Sequence, residues 1–512
     1  MRNILLANLL CTVSSTVIAQ TVVQLDINQL EQQLGKIPVN RSVTSSPATI
    51  IKLPLTNGSW HRFRMVRNGT MSRGLAAKFP QIATFDGYDL DSHAGFMKLD
   101  ITPLGLHAMI LNPGKETIYI DPVNKHSRNY KVYASKDEAL KNMPKCLNHD
   151  QGQLNSTVRS NANFAQFGVC QLTTYRLALA ATAQYTQFAG GTVADALAEQ
   201  VLTINRVNGI YETSSALTFA IIPNNDEIIY VNPNTQPYTH GVPFLLVNEN
   251  QSNVDSVIGP NHYDVGHVFD TGAATGFAPG KTCNNSDKAM GTTAMPQPVG
   301  DPFAVDFVAH ELGHQVGANH TQNNDCGRFP PTAVEPGSGS TVMSYAGICA
   351  PNVQKHANAY FHGINLQEIG NFTNKGVGRL CGKRSPIGKA PIVSQPPNIT
   401  VAQLTPFALI AHAKGQGKEN FTYTWEQMDD QITQQPPSPN AAGGPNFRSF
   451  SPSKSPVRYL PNLQDLANGG PFTWEVLPAV NRTMHFRLTV RGNMQGPSCN
   501  AYRDMTVTVA ET

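Results

Sequence analysis

One eleven-residue stretch limits what this chain can fold into more than its length does. Residues 310 to 320 read HELGHQVGANH, which sets His310, Glu311, His314, Gly317 and His320 at the spacing H-E-x-x-H-x-x-G-x-x-H. Residues four apart share one face of a helix, so the spacing predicts a helix that aims the His310 and His314 imidazoles at one point. Glu311 falls off that face and can lean over the open side of a bound ion as a base. Gly317 predicts a sharp exit from the helix with positive φ, and that turn would swing His320 back as a third ligand. Three neutral imidazoles with an open fourth position are the donor set of a catalytic zinc site, whereas structural zinc is closed by a fourth side chain. An HExxH run alone occurs in ordinary solvated helices; the five fixed positions together are far rarer.

The rest of the chain is long enough to carry several domains around that stretch, at 512 residues. Charged residues make up only 14%, and Asn, Gln, Ser and Thr take their place, a balance that suits export. The formal net charge of +3 gives no steering towards nucleic acid or acidic membranes. Met1-Arg2-Asn3, an apolar stretch from Ile4 to Ala19 and a polar chain from Gln20 together read as a signal peptide over residues 1–19. Asn8, Thr12 and Ser14 to Thr16 interrupt a stretch already too short for a membrane anchor, and Leu10 before Cys11 argues against a lipidated cysteine. No later run is long and apolar enough to span a bilayer, so the expected product is secreted and extracellular.

Residues 20–165 carry alternating strand-like pieces such as Trp60 to Met65 and Glu116 to Ile120, divided by turn signals at Asn57-Gly58 and Asn112-Pro113-Gly114. They predict a β-rich N-terminal domain, followed by a polar, cleavable linker around Gln151 to Asn163. Over residues 170–385 strands alternate with helices. Tyr175 to Ala181 and Leu217 to Ile222 read as buried strands, and Val193 to Tyr211 as an amphipathic helix with Leu197, Val201, Ile204 and Val207 on one face. Pro302 to Val316 reads as a second helix, and the alternation predicts an α/β layer domain. Beyond the Pro-rich junction Pro391 to Pro397, period-two strands in residues 391–512 predict a β-sandwich. The predicted fold class is therefore multidomain: an α/β catalytic domain flanked by a β-rich domain and a β-sandwich.

The zinc motif resembles that of the metzincin metalloproteases. The stretch from Tyr175 to Cys381 is similar, more narrowly, to the reprolysin-like (adamalysin-type) branch in its bacterial secreted form, through TYRLALAATAQYT, YDVGHVFDTG, GFAPGKTC and EPGSGSTVMSYAGIC. Thr321 departs from the pattern, since animal reprolysins usually carry Asp after the third ligand. The resemblance implies a Zn2+-dependent endopeptidase acting on protein or peptide substrates laid along an edge strand near Gly276 to Gly280. It makes the N-terminal domain a pro-region or a permanent accessory domain. It also implies that Met343, in Ser340 to Tyr345, forms an apolar floor under the three imidazoles. Tyr345 stands where some relatives place a tyrosine near the metal; its phenol could stabilise an oxyanion, or it could be a core tyrosine. Ca2+ has room in the resemblance, but no ordered Asp/Glu loop asks for it. The rival reading is an adhesin or matrix-binding protein, with the C-terminal domain taking matrix or carbohydrate and the metal domain secondary.

In an exported chain the cysteines are disulfide candidates first. The resemblance suggests Cys283 with Cys381 and Cys326 with Cys349. Cys146 and Cys170 flank the linker and could pair; alternatively Cys146 could hold the zinc as a thiolate in a latent precursor. Cys499 has no evident partner.

Overall fold

The computed structural model describes residues 21–38, 48–92, 95–125, 127–135, 145–148, 165–166, 170–492 and 496–511. The expected signal segment and the polar linker lie outside these residues.

The alternating segments near the N-terminus form one eight-stranded, wholly antiparallel sheet between Thr21 and Ala134. One face covers its own apolar cluster, which includes Leu34, Phe63, Leu99 and Ile120. The other face lies against the long helix Val193–Ser215, and Phe96, Met109, Leu111 and Tyr119 enter the same core as that helix.

That helix starts where Thr192 accepts a hydrogen bond from the Asp195 amide at 3.1 Å, and ends at left-handed Ala216. Its apolar stripe packs inward as its periodicity predicts. Its polar stripe is buried as well, because the N-terminal sheet covers it: Asn205, Arg206 and Asn208 are almost wholly enclosed. The burial is matched by partners. Asn205 Nδ2 donates to Leu99 O at 3.0 Å, Arg206 pairs with Asp121, and Lys98 Nζ lies 2.6 Å from Glu212 Oε2. The N-terminal region also borders the central sheet, where the Ile221 amide donates to Thr70 O at 2.8 Å.

The central sheet has seven strands, in the order Leu217–Ile221, Gln171–Ala181, Val265–Asp270, Thr292–Ala294, Thr275–Phe277 and Lys145–Cys146, with Lys383–Pro386 pairing antiparallel to Gln171–Ala181. The first four strands of that order are mutually parallel, and helices cover them, as strand–helix alternation requires. Thr275–Phe277 turns back antiparallel to Thr292–Ala294. The last member comes from the N-terminal side of the linker: Lys145–Cys146 adds parallel to Thr275–Phe277.

In the C-terminal region, Ala165–Gln166, Asn500–Ala510, Arg482–Arg491, Thr422–Gln427 and Ile399–Ala402 make a five-stranded sheet. Two short ladders, Ile392–Val393 with Ala413–Lys414 and Phe407–Ile410 with Val457–Leu460, accompany it. Trp425, Phe447, Phe486 and Leu488 fill the core of this region. Among the described residues, no helix is long and apolar enough to cross a membrane.

Candidate active site

The helix Ala309–Gln315 follows directly on Pro302–Val308, a more loosely wound segment with i→i+5 bonding. The helix is anchored at both ends. Tyr211 Oη donates to Ala309 O at 2.7 Å, and Gln315 bonds His267 Nδ1 at 2.9 Å and Gly266 O at 3.0 Å. His267 is therefore a buried support of the helix, held also by Thr293 Oγ1 at 2.8 Å, and burial lowers its pKa to about 4.

Gly317 leaves the helix at φ +91°, and a Cβ there would meet Phe372 at 2.9 Å. The returning chain is fixed by Glu368, whose carboxylate accepts from the Asn319 amide at 3.0 Å and from Asn319 Nδ2 at 2.6 Å. The outcome is a triangle: the Nε2 atoms of His310, His314 and His320 stand 3.2 Å apart on every side. Tetrahedral zinc with bonds of about 2.0–2.1 Å spaces its nitrogens about 3.3–3.4 Å apart, so the three rings fit the ion. His310 Nδ1 donates to Val342 O at 2.8 Å and His314 Nδ1 to Ala318 O at 3.0 Å. A carbonyl can only accept, so both protons sit on Nδ1 and both Nε2 lone pairs face the centre. Burial pushes the His310 pKa down to about 3 and holds that of His314 well below its ordinary value, which keeps these two rings in their ligand form.

A fourth donor is present. Cys146 Sγ lies 3.5 Å from His314 Nε2, close to the sulfur–nitrogen spacing of about 3.5 Å expected for a thiolate and an imidazole on one zinc. Cys146, His310, His314 and His320 form one metal-capable group. The disulfide expected between Cys146 and Cys170 is not formed. Cys170 is bonded to Cys499, and Cys283–Cys381 and Cys326–Cys349 are the other two bridges. The physical reason is the sheet: backbone pairing with Thr275–Phe277 holds Cys146 over the metal site, while Asn500–Ala510 brings Cys499 beside the start of the central strand.

Glu311 is buried beside this donor set, and its Oε2 accepts from Asn148 Nδ2 at 2.7 Å. Asn148 also donates to Cys146 Sγ at 3.3 Å and accepts from the Ala278 amide at 2.9 Å. Met343 is fully buried under the helix, where a Cβ at Gly313 would lie 2.4 Å from its sulfur. The Tyr345 ring stands 4.7 Å from that of His320, and its hydroxyl donates to Cys146 O at 3.3 Å.

Asn148 carries no motif signal, and Gly276 and Glu335 begin two of the runs that carry the resemblance without their roles being legible there. Gly276 is bare because a Cβ there would fall 1.9 Å from Glu311 Oε1. Glu335 Oε2 accepts from the Ser340 amide, the Thr341 amide and Thr321 Oγ1 at 3.0, 3.2 and 3.3 Å. It ties the segment after His320 to the Met343 turn. That turn is braced from the C-terminal region. The Val342 amide donates to Tyr360 O at 3.1 Å, Tyr360 Oη to Ser449 Oγ at 2.7 Å, and Ser449 Oγ to Glu426 Oε1 at 2.6 Å.

The model of the Metallo-peptidase family M12B Reprolysin-like matches residues 172–372. That segment is a reprolysin-like zinc metalloendopeptidase domain. No curated protein matches the chain. The match covers the whole histidine triangle and the Met343 turn of the reprolysin-like domain, and leaves the N-terminal sheet and most of the C-terminal region outside it.

Gly276→Ala gives a local test of the domain's geometry. The added methyl would fall 2.6 Å from Glu311 Cγ as well as on its carboxylate, so the buried side chain must shift, at a cost of about 1–3 kcal/mol in stability. With Glu311 as the base proposed below, peptide hydrolysis should fall by about 10²-fold or more, the low end of what a positioned acid–base group contributes. Parallel thermal melts and initial rates check this; full activity in the variant would show that Glu311 has room the geometry denies it.

Proposed function

We propose that the chain is exported as a latent precursor of a zinc endopeptidase. In this reading residues 20–165 act as the pro-region, residues 170–385 as the catalytic domain and residues 391–512 as a β-sandwich that stays attached. One observation carries the reading: a thiol from the N-terminal side of the linker stands at the fourth corner of a three-histidine donor set. In the precursor that corner is closed to water; once the segment leaves, it opens.

Bound zinc supplies Lewis acidity that polarises both the attacking water and the scissile carbonyl. Glu311 then acts as general base through its carboxylate, taking the proton of the attacking water and passing it to the leaving amine nitrogen. Tyr345 donates from its hydroxyl to the substrate carbonyl oxygen as negative charge grows there. Its present partner, the Cys146 carbonyl, stands in for that oxygen. The edge strand Thr275–Phe277 offers its backbone to an extended substrate, and residues 145–148 hold it until then, with the Leu147 amide donating to Gly276 O at 2.8 Å.

Two features support a pro-region that can depart. The contact with the long helix is apolar in part, but Asn205, Arg206 and Asn208 lie in it too, and these side chains can take water in place of the sheet. The Cys170–Cys499 bridge fastens the start of the catalytic domain to the C-terminal region, and the Ala165↔Tyr502 pairing holds the end of the linker there as well. A cut within 149–164 therefore frees the N-terminal sheet and leaves the other two parts joined. Export is supported by the three disulfides. Matrix or carbohydrate binding has no support among the described residues.

The test is proteolysis by purified, processed protein with metal analysis of the same sample. Stoichiometric zinc and cleavage abolished by a zinc chelator are expected; a processed protein with zinc bound and no peptidase activity would overturn the proposal.

Retention of the cut pro-region should depend on pH. A cavity of about 540 Å³ lies between the N-terminal sheet and the long helix, lined by His107, Asp121, Lys125, Glu199, Arg206 and Asp301. Burial raises Glu199 to about 7 and raises Asp301 in the same direction. Asp121 is buried too, but Arg206 holds it below the usual range, so it titrates outside this window. A carboxyl whose pKa is higher in the docked state takes up a proton on docking. Docking should weaken as pH rises from the ordinary carboxylate range to about 7. Size-exclusion of nicked protein at about pH 5.5 and about pH 8, on either side of that window, checks the sign. Equal or greater release in the acidic sample would contradict it.

A further inference from the structure

The edge strand has two faces, and only one belongs to the metal. Gly276 faces Glu311, and Cys146, its register partner, reaches the histidines. Side chains alternate along a strand, so Phe277 and Thr275 point to the opposite face. The rings bear this out for Phe277, which meets Phe244 of the helix Pro243–Val257 edge to face at 4.9 Å. Phe244 is nonetheless 55% exposed and its neighbour Leu245 48%. Two large apolar side chains thus border the strand that receives peptide backbone, on the side away from the ion.

The chain already shows what lies there. Continuing the Thr275↔Lys145 and Gly276↔Cys146 register by one residue sets Leu147 opposite Phe277, and the Leu147 amide bonds Gly276 O. Residues directly opposite on paired strands share a face, so Leu147 belongs to the Phe277–Phe244 side.

We propose that Phe244 and Phe277 form an apolar subsite that selects substrates carrying a bulky aliphatic or aromatic residue next to the residue facing the metal. In the precursor Leu147 fills it. The argument holds for either direction of the substrate chain, since the residue opposite Phe277 always flanks the residue opposite Gly276. The substrate preference rests on the peptidase reading above; the seat of Leu147 does not.

Two measurements separate these. In the first, processed enzyme cleaves matched peptides with Leu, Phe, Ala or Asp at the flanking position. Leu and Phe should be preferred, and Phe244→Ser should cut the Leu-to-Ala ratio of kcat/KM about tenfold, the low end for an apolar pocket, mostly through KM. An unchanged ratio would overturn the subsite. In the second, the uncut precursor is alkylated at Cys146 with iodoacetamide. Phe244→Ser and Leu147→Asp should each speed labelling several-fold, because both loosen the strand that carries the thiol. Wild-type labelling rates in both variants would overturn the subsite even if no peptide were ever cleaved. Faster labelling with no cleavage by processed wild type would uphold the Leu147 seat and sink the peptidase reading alone.

Discussion

Glu311→Gln is expected to leave zinc bound and lower peptide turnover by about 10²–10⁴-fold, the range that a positioned acid–base group supplies. The amide has the shape of the carboxylate but cannot take a proton from water at neutral pH. The substitution is otherwise gentle. Glu311 is buried and Asn148 Nδ2 donates to its Oε2, and the carbonyl oxygen of a glutamine side chain accepts the same bond. Removing a buried charge should leave stability unchanged or slightly higher. The three histidine nitrogens are untouched, so metal content measured on the purified variant should match wild type. A Glu311→Gln protein with near-native kcat would remove Glu311 as the base and require another proton acceptor in the site.

The second large effect concerns latency. Cys146→Ala should make the uncut precursor active. The precursor is silent, in the proposed reading, because the thiolate and the strand it sits on close the fourth corner together. Even a thiolate–metal preference of about 4 kcal/mol would hold the open fraction near 10⁻³, since each 1.4 kcal/mol is a factor of ten. Losing it should raise hydrolysis by intact chain on the order of 10²-fold or more; the remaining block comes from Asn148 and the Leu147 backbone bond. A cobalt-loaded precursor gives an independent readout, because its sulfur-to-metal charge-transfer band should vanish in the variant. Were the intact Cys146→Ala chain as inert as wild type, and the cobalt spectrum unchanged, the thiol would not be the lock.

Some of this chemistry is local. His310 and His314 share a face because of helix geometry, and Gly317 accepts a positive φ because it lacks a Cβ. Those facts lie within eleven residues, and so the convergence of the three histidines and the turn after the helix were legible from the sequence. The strand segment Tyr175 to Ala181 and the apolar stripe of the long helix were legible for the same reason: each is a pattern of neighbours.

What tertiary structure decided involves partners far apart in the chain. Nothing near Cys146 says whether it lies beside Cys170 or beside the histidines; the edge strand puts it beside the histidines, by pairing Thr275 and Gly276 with the distant Lys145 and Cys146. Cys499 found Cys170 only because two sheets bring their ends together. The polar stripe of the long helix reads as a solvated face, yet Asn205, Arg206 and Glu212 are buried under a sheet that supplies Leu99, Asp121 and Lys98 as partners. Thr321 carries no carboxylate, and its hydroxyl donates instead to Glu335, which the sequence does not pair with it. A sequence specifies the geometry of near neighbours directly, through helix and strand periods and a glycine's freedom. It specifies distant pairings only through the packing of the whole chain, and there each polar group takes whichever partner the assembled sheets deliver.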